Sequence, residues 1–322
     1  MIGSVVALTG GVGGAKLARG LVEILPPDSL RFIVNVGDDF EHLGLHISPD
    51  LDTLLYTLSG ESDMDRGWGR REETWNFLDA VKRYGGEDWF MLGDRDLSTH
   101  VLRSAALAQG ARLTEVCARL GQALGVQHAM LPVTDDPLRT IICTPEGRLA
   151  FQHYFVRERC APVVTGFAFD GAEDATLSSE VASALADPGL GAVVVCPSNP
   201  FVSIDPILAV PGMREALAQV AAPVIAVSPI IDGAAIKGPT AKMMEELGVP
   251  RSADAVARHY GARRDGGLLD GFVLDQCDAE LADTITGMGM EVRIAQTLMR
   301  DLNDRIELGR HVLIFAADLM QS

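Results

Sequence analysis

Four aspartates lie close together in one stretch of the chain, NVGDDFEHLGLHISPDLDT, and they could act as ligands of a metal ion. Asp38, Asp39, Asp50 and Asp52 follow the apolar run RFIVNV. Carboxylates beyond the end of a strand are hard oxygen ligands that suit Mg²⁺. Aspartate also caps helices, and Asp52 stands directly before the segment TLLYTL. Capping is therefore the alternative for any one of the four, and a metal site is favoured for the group.

A second chemical feature is the glycine-rich turn TGGVGG, which follows the apolar run SVVAL and precedes a segment with helical spacing. Glycine lets a backbone approach a ligand closely, and the helix N-terminus behind the turn offers free N–H groups to an anion. The turn lacks G-x-x-x-x-G-K-[ST], and Lys16 replaces the third glycine of G-x-G-x-x-G. A phosphate cradle and a tight turn without a ligand both stay open at this point.

The elements around these residues predict an α/β fold. SVVAL, the helical segment and RFIVNV form one βαβ unit. Residues 53–130 are rich in helical patterns, and RTIICTPEGRLAFQHYF predicts a hairpin. From residue 190 strands and helices alternate again, up to a last helix in DRIELGRHVLIFAADLM. We therefore expect a Rossmann-like, doubly wound and mostly parallel sheet, whose ligands bind beyond the carboxyl ends of the strands.

The same pattern predicts how the chain is divided. Residues 1–52 and 160–322 are expected to form the Rossmann-like core. Residues 53–159 are expected to be a mostly helical insertion that carries the hairpin and contributes to the active site.

Composition excludes some classes of function. The 322 residues carry a formal net charge of −17, and no run of lysine or arginine forms a basic face, so a nucleic-acid partner is not expected. No apolar run is long enough to cross a membrane, and the N-terminus has no basic signal region, so we expect a cytoplasmic protein without a membrane partner. The five cysteines are far apart, which is typical of reduced thiols. His42 and His46 are expected to be ordinary loop histidines.

Several motifs taken together resemble one known family. TGGVGGAKL, NVGDDFEHLGLHISPDLDTLLYTL, RGWG, LGDRDLSTHVLRS, LPVTDDPLRT, PSNPFVSIDPIL and SPIIDG occur in the order seen in the 2-phospho-L-lactate transferase family of coenzyme F420 biosynthesis. This resemblance runs from about residue 5 to beyond residue 300. It implies transfer of a phosphoacyl unit from a guanylylated donor to the terminal ribityl hydroxyl of the deazaflavin Fo, with release of GMP. It also implies a requirement for Mg²⁺ and a Rossmann-like fold with an inserted region.

Under this resemblance, the aspartates take definite roles. Asp39 and Asp50 are the first choices to hold Mg²⁺, and Asp38 is the second. Asp52 is expected to hydrogen-bond the ribityl chain of Fo and could accept the attacking proton, so that Asp39, Asp50 and Asp52 form the predicted catalytic set. The backbone N–H groups of the glycine turn are expected to face phosphate or the ribityl end, and the residues concerned are Gly10, Gly11, Val12, Gly13 and Gly14.

The motif LGDRD supplies further candidates. Arg95 could pair with phosphate or with the donor carboxylate, oriented by Asp94 or Asp96. The alternative is a structural salt bridge between Arg95 and its flanking aspartates. The position before this motif, often lysine in archaeal members of the family, is Met91 here. This departure favours an apolar contact with the deazaflavin ring, because a thioether packs well on an aromatic face.

Other candidates lie in separate loops. Ser198 and Asn199, directly after a predicted strand, could bind phosphate or guanine, and a capped turn is the alternative. Lys237 could reach a phosphate or could be an ordinary surface lysine. Trp68, in RGWG, could stack on a ring or be buried in the protein.

Two matters stay open from the sequence. The donor could be the phospholactyl, phosphoenolpyruvyl or phosphoglyceryl compound, and a homodimer is compatible with the sequence without being required by it. A second reading is a non-catalytic nucleotide-sugar-binding regulator of the same superfamily, which shares the glycine turn. That reading is disfavoured because it does not need both SPDLDT and LGDRD.

Overall fold

The structure, a computed structural model, describes residues 2–63, 66–235 and 238–321. Its strands are β1 (Ser4–Thr9), β2 (Leu30–Val34), β3 (Phe40–His42), β4 (Leu45–Ile47), β5 (Ala129–Pro132), β6 (Arg139–Thr144), β7 (Gly147–Ala150), β8 (Gly166–Asp170), β9 (Leu190–Val195), β10 (Val224–Val227), β11 (Ile230–Ile231), β12 (Ala234–Ala235), β13 (Gly271–Asp275) and β14 (Glu291–Ala295). Its α-helices are α1 (Gly11–Leu21), α2 (Pro49–Ser59), α3 (Asn76–Arg83), α4 (Asp94–Ala108), α5 (Leu113–Ala123), α6 (Ser179–Leu185), α7 (Asp205–Ala209), α8 (Met213–Gln219), α9 (Thr240–Glu246), α10 (Ala253–Tyr260), α11 (Ala282–Gly287) and α12 (Leu302–Leu319).

Seven parallel strands form the central sheet, in the order β14-β13-β10-β9-β1-β2-β5. From β1 the chain first builds outward through β2 to β5, and it then returns to the other side of β1 to build β9, β10, β13 and β14. This is the doubly wound Rossmann order, which confirms the predicted fold class. The order reverses between β1 and β9, so the crevice for a ligand lies beyond the carboxyl ends of those two strands.

The central strands are buried along their length, which is why they read as continuous β-branched runs. All six residues of β9, LGAVVV, are buried, and so are five of the six in β1. Helix α12, the predicted last helix, packs along α1 and also contacts β9, β10, β13 and β14. The core is therefore shared between the N-terminal unit and the C-terminal half of the chain.

The segment between β2 and β9 contains α2, α3, α4 and α5, in the region where the sequence predicts helices. The predicted hairpin is confirmed as β6 and β7, which pair antiparallel, and β8 adds a third strand. However, β5 lies inside the predicted insertion 53–159 and is nevertheless the edge strand of the central sheet. A four-residue strand, AMLP, has too short an apolar run to be recognised between two helical patterns. The division into core and insertion stays a prediction.

No helix in the three described ranges combines the length and the apolar character that a membrane span requires.

Candidate active site

One cavity of about 620 Å³ opens at the carboxyl ends of the central strands. Its wall includes the glycine turn after β1, the acidic segment after β2 and the Ser198–Asn199 loop after β9. Aromatic residues from the region between β4 and β8 also line it. The cavity thus lies at the reversal point of the strand order, where this fold binds its ligands.

The glycine turn begins helix α1 and is held against two partners. The N–H of Gly10 donates to Ser198 Oγ at 3.2 Å, and the N–H of Gly11 donates to Asp50 Oδ1 at 2.6 Å. A Cβ on Gly10 would lie 2.5 Å from Asp50 Oδ2 and 2.7 Å from the Cβ of Ser203, so no larger residue fits. The turn therefore brings backbone N–H groups next to a carboxylate at a helix N-terminus, a position suited to an anion.

Asp38 and Asp50 form a pair of carboxylates in the cavity wall. Asn35 Nδ2 donates to Asp38 Oδ1 at 3.2 Å and to Asp50 Oδ2 at 2.9 Å, so one amide joins both side chains. Gln152 Nε2 approaches the second oxygen of Asp38 at 3.3 Å. Both carboxylates line the cavity and are almost completely buried.

Burial makes it costly for this pair to carry its negative charge. Loss of solvent raises the pKa of Asp38 well above its ordinary value, and the nearby Asp50 and Asp39 charges raise it further. Burial also raises the pKa of Asp50 to about 6, although the hydrogen bonds from Asn35 and Gly11 act in the opposite direction. Two crowded carboxylates with raised pKa values form a site that gains free energy from a cation.

Asp39 lies behind this pair and is not part of the cavity wall as the structure describes it. Its Oδ2 accepts from Ser48 Oγ at 2.8 Å and lies 2.9 Å from His46 Nε2. Its Oδ1 is buried with no hydrogen-bond partner among the described residues. His46, expected to be an ordinary loop histidine, belongs to strand β4 and contacts this aspartate. The β3–β4 hairpin brings the two together, which sequence spacing alone did not reveal.

Asp52 lines the cavity from helix α2 and is bound to a buried arginine. The guanidinium of Arg103 contacts both of its carboxylate oxygens, with Nη1 3.0 Å from Oδ2. Burial opposes the charge of Arg103, yet the adjacent Asp52 carboxylate keeps the pKa of the guanidinium above its ordinary value. The ion pair fixes the orientation of Asp52.

Residues of helices α2 and α4 extend this buried network from Asp52 to Asp96. His100 lies between two carboxylates, with Nδ1 3.6 Å from Asp52 Oδ2 and Nε2 3.3 Å from Asp96 Oδ2. The hydroxyl of Tyr56 donates to Asp96 Oδ1 at 2.6 Å, and its oxygen lies 2.9 Å from Thr99 Oγ1. Arg103, His100 and Tyr56 were not singled out from the sequence, because single polar residues on helices α2 and α4 give no local signal. The spacing of Asp96 and His100, four residues apart on one helix face, was the only trace.

Asp94 and Arg95 of LGDRD are not part of the described cavity wall. The carboxylate of Asp94 caps helix α3: Oδ1 accepts from the N–H of Phe77 at 2.9 Å, and Oδ2 from the N–H of Asn76 at 3.1 Å. Hydrogen bonds led by the one from the Thr74 hydroxyl lower the pKa of Asp94 to about 2. Arg95 is exposed and pairs with Glu72 at 3.2 Å, and not with its flanking aspartates. Exposed pairs of this kind contribute little to stability.

The remaining candidates are distributed around the cavity. Met91 and Trp68 both line it and are partly exposed, 44% and 42% respectively. Ser198 and Asn199 line it as well. Asn199 Oδ1 also caps the next turn by accepting from the N–H of Phe201 at 3.0 Å, so the capped-turn alternative holds for this side chain. Lys237 lies outside the described residues.

Four of the five candidate residues of the glycine turn lie in the cavity wall. Gly10, Gly11, Val12 and Gly13 line the cavity. Gly14 does not, because it faces inward, where a Cβ would lie 2.5 Å from Ser198 Oγ. Sequence analysis missed the aromatic residues that add to the wall, namely Trp89, Phe90, Phe151 and Phe155. Trp89 and Phe90 come from a loop, Phe151 and Phe155 come from a helical turn before β8, and only the tertiary fold brings them together.

Comparison with known proteins agrees with this arrangement. The family model described as "2-phospho-L-lactate transferase CofD" matches residues 5–307, nearly the whole chain. The chain belongs to the 2-phospho-L-lactate transferase family. As members of this family transfer substituted phosphate groups, the protein is an enzyme of that class, a phosphoacyl transferase of coenzyme F420 biosynthesis.

Similar sequences support membership of the 2-phospho-L-lactate transferase family, and a solved structure shares the fold. A Nocardia farcinica protein named phosphoenolpyruvate transferase is 41% identical over 97% of this chain and 94% of its own length. Proteins of that name from Streptomyces coelicolor and Kitasatospora aureofaciens are 36% and 40% identical, over 99% and 97% of this chain and 99% and 97% of their own lengths. A solved UPF0052-family structure from Bacillus halodurans shares the fold, with a TM-score of 0.64 at 15% identity, covering 97% of this chain and all of that one.

Proposed function

We propose that the protein transfers a phosphoacyl group from a guanosine-diphosphate-linked donor to the terminal ribityl hydroxyl of the deazaflavin Fo. The hydroxyl oxygen forms a bond to the acyl-side phosphorus, and the bond from that phosphorus to the bridging oxygen breaks. GMP leaves with the bridging oxygen, and the hydroxyl proton is released. The names of the relatives at about 40% identity favour phosphoenolpyruvyl as the group transferred, ahead of phospholactyl and phosphoglyceryl.

The observation that carries this proposal is the composition of the cavity at the carboxyl ends of the central strands. Its lining combines the glycine turn and the Asp38–Asp50 pair with Trp68, Met91 and further aromatic rings. A substrate that joins a diphosphate to a flat aromatic acceptor through the reacting atoms matches both kinds of lining. Phosphoryl transfer depends mainly on positioning and charge stabilisation, which such a cavity supplies.

The carboxylates in this cavity fit a magnesium ion. Within the described ranges, no three Asp, Glu, His or Cys side chains converge as a complete protein cage for a metal. Magnesium in phosphoryl-transfer sites takes only one or two carboxylates and completes its shell with water and substrate phosphates. Asp38 and Asp50 would hold the ion, and Asp39, with its unpaired buried oxygen, supports the site from behind. When bound, the ion would neutralise charge on the diphosphate.

The chain's own residues account for orientation. Val12 and Gly13 of the glycine turn line the cavity together with Ser198 and Ser203, and their N–H groups and the two hydroxyls would bind the phosphates. The N–H groups of Gly10 and Gly11 donate within the protein, to Ser198 and Asp50. Because Arg103 holds both oxygens of Asp52, we assign Asp52 to hydrogen-bond and orient the ribityl chain, and not to accept the proton. The aromatic wall shields the reacting atoms from water, which prevents hydrolysis of the donor.

A transfer assay tests the proposal. Purified protein is mixed with Fo, Mg²⁺ and each of the three guanylylated donors, and the fluorescent products are separated by mass. A phosphoacyl-Fo product with an equal amount of GMP, lost on addition of a chelator, is the expected result. Asp38→Asn should abolish it, whereas Asp283→Asn, the same change at an exposed position of α11, should not. Absence of product with every donor, together with absence of Fo binding, would refute the proposal and favour a nucleotide-sugar-binding regulator.

A further inference from the structure

Arg159 stands at the rim of the cavity with its charge uncompensated. It lines the cavity and is exposed. Across residues 2–63, 66–235 and 238–321, no ion pair or hydrogen bond involves its side chain. The other arginine of the described cavity wall, Arg66, is paired with Asp63 at 3.5 Å and lies over the ring of Trp75. Lys16 donates to the carbonyl of Met299 at 3.3 Å.

The backbone at Arg159 has a conformation that residues other than glycine rarely adopt. Arg159 and the following Cys160 both have positive φ, 49° and 57°, although neither is glycine. Each such residue costs free energy, and strain of this kind persists where the surrounding structure imposes it. Here the N–H of Cys160 donates to the carbonyl of Tyr154 at 2.8 Å, and the N–H of Ala161 to that of Glu158 at 2.9 Å.

The strained segment is also tied to helix α9. Lys242 Nζ donates to the carbonyl of Pro162 at 2.9 Å and to the hydroxyl of Tyr154 at 3.3 Å. Glu246 accepts from the N–H of Val164 at 2.9 Å. Thr240, the first residue of α9, lines the cavity, and Asn199 Nδ2 reaches Met243 of the same helix at 3.5 Å. The segment that carries Arg159 is thus joined to a helix that also contacts the Ser198–Asn199 loop, and both Arg159 and that loop line the same cavity.

The charge of the cavity explains why a cation is needed there. Asp38, Asp50, Asp52 and Asp96 all line the cavity, and the whole chain carries a net charge of −17. A donor with a diphosphate and a carboxylate would be repelled from such a wall. A guanidinium at the rim offers two parallel N–H groups to a carboxylate or a phosphate, and it keeps its charge at any working pH.

We propose that Arg159 binds an anionic oxygen group of the donor, either the acyl carboxylate or the diphosphate, and so determines donor affinity. This inference rests on the proposed function, since it names a contact of the same substrate. The left-handed backbone at 159–160 is then the conformation that directs the guanidinium over the cavity. Arg157, two residues earlier, is exposed, pairs with Glu158 and is not in the described cavity wall, so it makes a matched control.

Steady-state kinetics on the full-length enzyme test the proposal. Arg159→Gln should raise the donor KM about tenfold or more, the usual effect of losing a charge-assisted contact, and should leave the KM for Fo unchanged. Arg159→Lys should restore part of the donor affinity, and Arg157→Gln should behave as wild type. GDP has a diphosphate and no carboxylate, so its binding shows which of these two groups of the donor Arg159 contacts. Weaker GDP binding by Arg159→Gln indicates the diphosphate, and unchanged GDP binding indicates the carboxylate.

A second variant distinguishes the effect of losing the Arg159 charge from the effect of relieving the backbone strain. Arg159→Gly removes the guanidinium and also relieves the positive φ, so it should raise the melting temperature while weakening donor binding as much as Arg159→Gln does. An unchanged donor KM in both variants, or a raised KM for Fo in place of the donor, would overturn the inference. Because wild type is assayed in parallel, transfer by wild type with insensitivity to Arg159 refutes this contact alone, whereas no transfer by wild type refutes the proposed function.

Discussion

Replacing Asp50 with asparagine should stabilise the metal-free protein at neutral pH, although it removes a proposed metal ligand. Asp50 is 7% exposed, and burial raises its pKa to about 6 from the model-compound value of 3.8. A difference of about two pKa units corresponds to about 3 kcal/mol at pH 7, by which the ionised carboxylate weakens the folded state. Asparagine would lose the acceptor that faces Asn35, at a cost of about 1 kcal/mol. The expected net gain is about 2 kcal/mol.

The sign of the pH dependence follows from the same shift. Because the folded-state pKa of Asp50 is raised, the folded protein binds more protons than the unfolded chain between about pH 4 and pH 6. The contribution of this group to stability is therefore complete below pH 4 and is lost as the pH rises through about 6. Asp38, whose pKa is raised in the same direction, adds to the effect.

Urea unfolding of chelator-treated protein between pH 4 and pH 8 measures this prediction. Asp50→Asn should flatten the loss of stability with rising pH, and Asp283→Asn should not. Added Mg²⁺ should stabilise wild type at pH 7 and should have a much smaller effect on Asp50→Asn. The reasoning fails if the metal-free variant is no more stable than wild type at pH 7 and has the same pH profile.

Three further variants test other parts of the site. Arg103→Leu should cost about 3–5 kcal/mol in the free energy of unfolding, because it leaves Asp52 buried without its partner, and the double variant with Asp52→Leu should recover most of that loss in urea unfolding. Gly10→Ala should abolish Fo transfer and destabilise the fold by about 1–3 kcal/mol, whereas Gly287→Ala, a helical position with no atom within 4 Å of a new Cβ, should not reduce stability in thermal melts. Asp94→Ala should lower the melting temperature by removing the cap of α3 and should leave both substrate KM values unchanged, which steady-state assays would check.

The motif LGDRD shows how a sequence pattern can mark a position without revealing its role. The sequence drew attention to Asp94 and Arg95 as candidates for substrate contact. In the structure, the carboxylate of Asp94 caps helix α3, and the carboxylate of Glu73 accepts from the N–H groups of Arg95 and Asp96 at the start of α4. Of the motif's charged residues, Asp96 alone faces the cavity. The direction of a side chain at a helix start depends on what the helix packs against, and local sequence does not contain that information.

In the acidic segment, too, the sequence predicts where the side chains lie and does not predict what each of them does. Its position after β2 was sufficient to predict carboxylates at the carboxyl edge of the sheet, and Asp38 and Asp50 are indeed in the cavity wall. The sequence could not show which of these aspartates are best placed to hold a metal ion. Asp39 is bonded to Ser48 and His46, while Asp38 shares the amide of Asn35 with Asp50. His46 belongs to strand β4 and Ser48 follows it, whereas Asn35 stands at the end of β2. The folded β3–β4 hairpin and helix α2 bring these groups together.

By itself, the sequence determined the parallel α/β fold, the place of the glycine turn and the family. Those features depend on local signals: continuous β-branched runs, helical periodicity and a run of glycines between them. The tertiary structure alone decided that β5 joins the central sheet, that Arg103 neutralises Asp52, and that aromatic rings from separate parts of the chain line one cavity. It also decided that Arg159 adopts a left-handed backbone over the cavity. Each of these depends on contacts between residues far apart in the chain, and the free energy of such contacts is set by burial and packing that no local pattern records.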